Sequence, residues 1–276
     1  MISVVIPTTG RASIRSVLAA LADQREPPPF EVVVGVDGGV PPTHDDIRRH
    51  PGCVRVDVVV LPRRQGVSAA RNAALARARG ALIGFLDDDV IPAPDWLRQL
   101  DARLARFDAV AGRIVEDEGP GVLSRLRRLA FDHRHRVNLA HGGPVDYLNG
   151  GNFGARSPVL NRAGRFDPRY VKSQDRELAR RIAGSGGVIG YAPELIVEHR
   201  GHYTIGGLIR GRYRAGRAAA TMARDGGPVS VGPLSTTQTY GASVPGLLRR
   251  HGVALAACAA VSTIAHRLGR TKPWPG

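Results

Sequence analysis

Along its first hundred residues the chain alternates short apolar runs with amphipathic stretches. Ile2 to Ile6 is an apolar run closed by Pro7. A short run bounded by a breaker predicts a buried strand. Thr8-Thr9-Gly10-Arg11 reads as a loop, and Ser13 as the N-cap of a helix from Ile14 to Asp23. Ile14, Val17, Leu18 and Leu21 fall at helical spacing and share one face. Three more strands are predicted at Phe30–Val36, Val54–Leu61 and Ala81–Leu86. A polar helix precedes Val54, and an Ala-rich helix, Val67–Arg79, precedes Ala81. Strands this continuously apolar, alternating with helices, imply an α/β fold: a mostly parallel sheet flanked by helices on both faces.

The pattern continues less regularly. A helix is predicted over Asp95–Phe107 and a strand over Ala109–Val115. A basic helix, Leu123–Arg136, should end in a flexible loop. Val145–Arg156 reads as strand, with Gly150-Gly151 marking a close backbone approach. Gly164-Arg165-Phe166-Asp167 turns the chain, and a helix runs from Gln174 to Gly184. Two short strands follow, Val188–Ala192 and Leu195–Glu198. No linker divides these segments, so residues 1–203 are expected to form one domain. Residues 204–276 then form a C-terminal helical extension. It holds a basic helix (204–224), a mobile Gly/Ser/Thr/Pro-rich loop (226–242) and an Ala-rich apolar segment (252–268). The uninterrupted core of that last segment, Val253–Ala265, is too short to span a bilayer comfortably. Packing on the domain, an interfacial membrane contact and oligomer formation all remain open for it.

The chemistry collects at the strand ends. In open parallel sheets ligands bind beyond the carboxyl ends of the strands. Thr8-Thr9, Asp37-Gly38 and Asp87-Asp88-Asp89 all fall there. One such signal is an ordinary turn; three on one rim point to a site. Three adjacent carboxylates raise each other's pKa and cost stability unless a positive group joins them. Mg²⁺ or Mn²⁺ suits such a cluster; a solvated acidic turn is the alternative.

Composition narrows the picture a little. The net charge of +15 comes almost wholly from Arg, the only lysines being Lys172 and Lys272. This is either a field for anionic partners or a bias of composition. A nucleic-acid-binding module would show Arg interleaved with aromatics or a binding motif. Neither is present, so no nucleic-acid partner is expected. Cys53 and Cys258 lie far apart, without a CxxC. No disulfide framework or zinc site is supported, and a reducing compartment is expected. The N-terminus enters a strand at once, with no signal-peptide pattern. The expected location is cytoplasmic, at the inner face of the membrane if the C-terminal segment makes that contact.

Motifs in one order and spacing carry a resemblance. They are Val4-Val5-Ile6-Pro7-Thr8-Thr9; Val33-Val34-Gly35-Val36-Asp37-Gly38-Gly39; and Gly66-Val67-Ser68-Ala69-Ala70-Arg71-Asn72. Phe85-Leu86-Asp87-Asp88-Asp89 with Pro94-Asp95-Trp96-Leu97 follows, then Gly150-Gly151-Asn152 to Arg156, Gly164–Asp167, Gln174-Asp175 and His199. Over residues 2–203 the chain resembles a family 2 glycosyltransferase of the GT-A fold.

The resemblance implies transfer of a sugar from a nucleoside-diphosphate sugar to an acceptor hydroxyl, with inversion. It implies that Pro7, Thr8, Thr9, Asp37 and Arg71 bind the nucleotide. Asp87 and Asp89 form the DxD-type pair, with Asp89 a direct ligand of Mg²⁺ or Mn²⁺, Asp87 supporting it and Asp88 toward the ribose or sugar. His199 is implied as a further metal ligand or diphosphate contact. Asp175 is implied as general base, although Gln174 stands where the family has Glu. Thr9 and Gly10 replace the usual aromatic after the first strand. The acceptor is expected to be a glycan, a lipid-linked glycan or a small molecule. The basic, apolar C-terminal segment suggests peripheral membrane contact and cell-envelope synthesis. A nucleotidyltransferase, which would carry a Gly-rich basic loop after the first strand, is the competing enzyme reading.

Overall fold

The computed structural model describes residues 1–42, 51–117, 119, 121–201, 203–225 and 236–271. The polar helix expected before Val54, and residues 226–235 of the expected mobile loop, lie outside these, as does His202.

Two compact units are present, and they do not divide at residue 203. One comprises Met1–Ile114, Gly142–Tyr170 and Gln174–Arg200. The other comprises Val115–His141, Val171–Ser173 and Gly201–Gly276. Residues 115–141, expected in the first domain, therefore group with the C-terminal helices. The reason is apolar packing: Leu126 shares a core with Tyr240, Leu247, Leu255, Ala256 and Ala259.

The first unit is built on a sheet of eight strands among the described residues, in the order β3-β2-β1-β4-β7-β6-β8-β5. β1 (Ile2–Thr8), β2 (Phe30–Asp37), β3 (Cys53–Leu61) and β4 (Leu82–Leu86) pair in parallel. Beyond β4 the pairing turns antiparallel: β7 (Asn152–Arg156) on β4, and β6 (Ala109–Glu116) on β7. β5 (Val90–Pro92) pairs antiparallel with β8 (Ile189–His199).

Every residue of β1 and β2 is buried. Side chains alternate between two cores, as the pleat requires. Ile2, Val4 and Ile6 join Ile14, Val17, Leu18 and Leu21 of α1 (Ile14–Ala22). Val5 and Val33 face Ala74 and Leu75 of α2 (Val67–Leu75) on the other side. Gly35 decides how closely α2 seats, because any Cβ there would collide with the Ala70 carbonyl. On the same side Phe85 and Phe153 stack, centroids 4.2 Å apart, with Phe166 edge-on to both. α3 (Trp96–Leu104), α5 (Ser157–Ala163) and α6 (Gln174–Gly184) complete the helices of this unit.

Several local expectations change. Ser13 is not a cap: its backbone is already helical and its hydroxyl makes no capping bond. The strand at 145–156 shortens to β7, because the Asn152 amide bonds back to the Asn149 carbonyl and turns the chain first. The two strands expected around Pro193 are one, β8, since proline's fixed φ suits extended backbone and costs only one donor.

The second unit is helical. It contains α4 (Val122–His141), α7 (Ile205–Arg224), α8 (Thr236–Tyr240), α9 (Val244–His251) and α10 (Val253–Thr271). α4 continues to His141, past the loop expected after Arg136. Part of the expected mobile loop is the ordered α8, where Tyr240 donates to Ser262 Oγ at 2.8 Å. Among the described residues no helix is long and apolar enough to cross a membrane.

Candidate active site

Strand register assembles the acidic rim, which lies wholly in the first unit. β1 pairs with β4 so that Val5 faces Phe85. Carried three residues on, that offset sets Thr8 opposite Asp88. Thr8 Oγ1 duly donates to Asp88 Oδ2 at 2.6 Å. The same Oγ1 accepts the Gly10 amide at 3.0 Å, holding the loop after β1. Burial raises the Asp88 pKa, and the nearby Asp89 charge adds to this; the Thr8 bond and Arg11 oppose it.

β5 and β8 supply the second convergence. Their register places His199 opposite Val90, next to Asp89. The Arg200 amide fixes the Asp89 carbonyl at 3.0 Å. His199 Nε2 then lies 3.6 Å from Asp89 Oδ1. The other Asp89 oxygen faces Arg11 Nη1 at 3.2 Å, and Arg11 also lies 3.5 Å from Asp88. Arg11 is the residue that reading the sequence missed. Its only signal was its place in the loop after β1, beside the strand that ends in the acids.

The third convergence runs through α2. Arg71 is 1 % exposed, and its Nη2 reaches Asp87 Oδ1 at 2.7 Å and the Gly150 carbonyl at 2.6 Å. Its guanidinium carbon lies 5.2 Å from the Phe166 ring centroid. The Gly150 amide donates to Asp175 Oδ2 at 2.9 Å. Asp175 stands in the first turn of α6. Gly151 sits where a Cβ would come within 3.2 Å of Asp87 Oδ2, so its missing side chain leaves that carboxylate room. Below the rim, Asn152 is fully buried, accepting from Trp96 Nε1 at 2.8 Å and donating to the Arg113 and Leu195 carbonyls.

Asp37, at the end of β2, also has a local structural task. Its two oxygens accept the Gln65 amide at 2.6 Å and the Gly66 amide at 3.0 Å, which organises the entry to α2. Thr9 lies in the same rim loop, where its carbonyl leaves no room for a Cβ on Gly39. Pro7 is within β1.

The rim therefore brings together Thr8, Asp88, Asp89, His199 and Arg11, and ties Asp87 through Arg71 to the peptide that holds Asp175. Among the described residues no three His, Cys, Asp or Glu side chains form a ready cluster of metal ligands. Asp89 and His199 do fit a hard divalent ion that keeps waters and takes phosphate oxygens for the rest of its shell.

The fold is that of the GT-A glycosyltransferases. A mannosyltransferase from Pyrobaculum calidifontis, solved with GDP-Man and Mn²⁺, superposes with a TM-score of 0.65 over 99% of this chain and 76% of its own, at 23% identity. TarS of S. aureus, residues 1–349 with UDP-GlcNAc, gives 0.55 over 98% and 90%, at 16% identity. Residues 3–164, more than half of the chain, match the glycosyl transferase family 2 profile, and the chain belongs to that family. Curated relatives include a pre-mycofactocin glycosyltransferase of Mycobacterium tuberculosis, 29% identical over 72% of this chain. The chain spans 42% of that relative's length. Glycosyltransferase AglE of Haloferax volcanii is 24% identical over 78% of this chain and 72% of its own.

Proposed function

We propose that the protein transfers a sugar, with inversion, from a nucleoside-diphosphate sugar to an acceptor hydroxyl, with Mg²⁺ or Mn²⁺. One observation carries the reading: the strand ends at Thr8, Asp88, Asp89 and His199 converge within hydrogen-bonding or ion-pairing distance. The GDP-Man and Mn²⁺ of the mannosyltransferase, and the UDP-GlcNAc of TarS, support it by analogy.

In this reading Pro7, Thr8, Thr9 and Asp37 cradle the nucleotide at the ends of β1 and β2. Asp37 keeps its two amide bonds, and the carboxylate's remaining lone pairs are available to a base N–H. Asp88 faces the ribose or sugar, pre-oriented by Thr8. Asp89 and His199 would hold the cation, with Asp87 supporting Asp89. A bound cation stabilises the charge that grows on the leaving diphosphate. Asp175, oriented by the Gly150 amide, takes the proton from the acceptor hydroxyl as its oxygen attacks the anomeric carbon. Direct displacement then inverts that carbon. No enzyme nucleophile is required.

The acceptor is proposed to be a glycan, a lipid-linked glycan or a small molecule, in cell-envelope or related synthesis. We also propose a peripheral contact with an anionic membrane through α10. Val253, Ile264 and Leu268 are exposed on it, Arg249, Arg250 and Arg267 flank them, and residues 226–276 contain no Asp or Glu. Sedimentation with anionic vesicles should fall for Ile264→Glu/Leu268→Glu; equal sedimentation removes the membrane contact.

A thermal-shift panel of UDP-, GDP- and dTDP-sugars with and without Mn²⁺ tests the core of the reading. A ligand that binds only the native state raises its melting temperature. One sugar nucleotide should do so in a metal-dependent way. If none shifts the protein with metal present, the proposal fails.

A further inference from the structure

The contacts of Arg71 do not suit a ligand-binding arginine. A side chain that meets a nucleotide must offer it exposed donors, and Arg71 is 1 % exposed. Its Nε and Nη1 are sealed from solvent, with no hydrogen-bond partner among the described residues. Only Nη2 is engaged, and it is engaged twice, by Asp87 and by the Gly150 carbonyl. The Gly150 amide is in turn the donor that reaches Asp175. One glycine thus receives the guanidinium on its carbonyl and presents its N–H to the candidate base.

The loop around Gly150 is anchored beside it by Asn149, whose Nδ2 donates to the Gly112 carbonyl at 2.5 Å, but the Gly150 peptide itself is held by Arg71. The loop carries no side chain at 150 or 151, and the turn before β7 relies on the Asn152 amide bonding to Asn149. Arg71 arrives on a helix seated against β2 at Gly35. The next residue, Asn72, bonds Phe166 in both directions, its Nδ2 to the carbonyl at 2.8 Å and its Oδ1 from the amide at 3.1 Å. The helix is thereby fixed both to β2 and to the turn at Phe166.

We infer that Arg71 is a positioning residue: through the Gly150 peptide it couples the donor-side carboxylate Asp87 to the acceptor-side base Asp175. This rests on the glycosyltransferase reading and replaces a direct nucleotide contact for Arg71. The coupling keeps the base oriented while the acidic rim receives the donor. Asp175 then acts with its carboxylate already aimed, and less ordering remains for the transition state.

The test is a double-mutant cycle on the full chain. Release of nucleoside diphosphate with water as acceptor reports kcat, using the nucleotide sugar that gives the largest thermal shift with Mn²⁺. Calorimetry with the same compound and Mn²⁺ reports donor affinity. Arg71→Lys keeps the charge but not the guanidinium geometry, and Arg71→Gln keeps a donor without charge.

In either variant kcat should fall about tenfold or more while donor Kd moves less than about threefold, Lys retaining more activity than Gln. Combined with Asp175→Ala, the Arg71 change should cost nothing further, to within about threefold, because a residue that acts through Asp175 has no effect once Asp175 is gone. A purely structural arginine gives additive losses, and that result overturns the proposal. So does a rise of about tenfold or more in donor Kd at unchanged kcat, which is the signature of a donor contact. If neither variant folds, judged by its melting transition, Arg71 is a stability residue and the proposal falls. A wild-type protein that neither binds nor cleaves any sugar nucleotide sinks the underlying function, a different outcome from additivity in an active enzyme.

Discussion

The two units place their charge differently, although both also close single buried acids against arginines, Glu31 with Arg55 and Glu177 with Arg181 in the first and Glu116 with Arg127 in the second. In the first, carboxylates gather at one rim, each with its own partner: Asp88 with Thr8, Asp89 with His199 and Arg11, Asp87 with Arg71. In the second, arginines lie mainly on exposed helix faces, and the interior is joined by small residues and hydroxyls. Gly216 meets the His266 carbonyl, Gly269 meets the Tyr213 carbonyl, and Thr236 pairs with Thr263 at 3.1 Å. Its deeply buried acid Glu116 is closed into a network: Arg127 Nε at 3.2 Å, the Tyr203 hydroxyl, and Arg127 lying 4.5 Å over the Tyr203 ring. Burial pushes the Tyr203 hydroxyl pKa up, and the neighbouring Glu116 reinforces that shift. The lesson is that carboxylates have two settings here. Those gathered at strand ends are the proposed chemical device, whereas a buried carboxylate closed off by an arginine, as Glu116 is by Arg127, is a structural one.

Substitutions can break or sharpen this contrast. The largest effect is expected for Asp175→Ala, which should lower kcat by about 10²–10⁴-fold, the usual worth of a general base. Its donor Kd by calorimetry should stay unchanged, and a weakened donor would move Asp175 from base to binding. Asp89→Ala follows, with a loss on the order of 10²–10³-fold. It should also erase the Mn²⁺-dependent part of the donor thermal shift; a retained metal response would remove Asp89 as ligand.

In the second unit the same chemical change should act on stability. Glu116→Ala leaves Arg127 and Tyr203 without their acceptor and should cost about 3 kcal/mol in denaturant unfolding, at the low end for a broken pair because Arg127 keeps solvent contact. A loss below about 1 kcal/mol would make this pair no better than a surface one.

The smallest effect concerns pH. Burial lowers the His133 pKa below its ordinary 6.5, with Arg136 and Arg134 adding to this. The folded state therefore favours neutral imidazole. The stability is complete above 6.5 and is lost as pH falls from there through the folded value, because the unfolded chain takes up the proton first. Unfolding free energies across pH 5–8 should flatten slightly in His133→Gln. An unchanged slope would assign the acid sensitivity to other groups.

The sequence by itself determined the parallel β1–β4 layer, the helix faces against it, and the strand-end positions of Thr8, Asp37 and Asp87–Asp89. These follow from local periodicity and breakers, which a few neighbouring residues set. It also carried the family, through motifs that lie mostly at those strand ends. Tertiary structure alone decided which partner each charge takes. Arg11 facing Asp89, Arg71 withdrawn to Asp87 and Gly150, and Asp37 held by the Gln65 and Gly66 amides depend on strand register and helix seating. So does the grouping of residues 115–141 with the C-terminal helices. Thr8 and Asp88 are eighty residues apart, and only the β1–β4 ladder makes them neighbours. Local patterning places a residue at a strand end, but the packing of distant segments decides what it meets there.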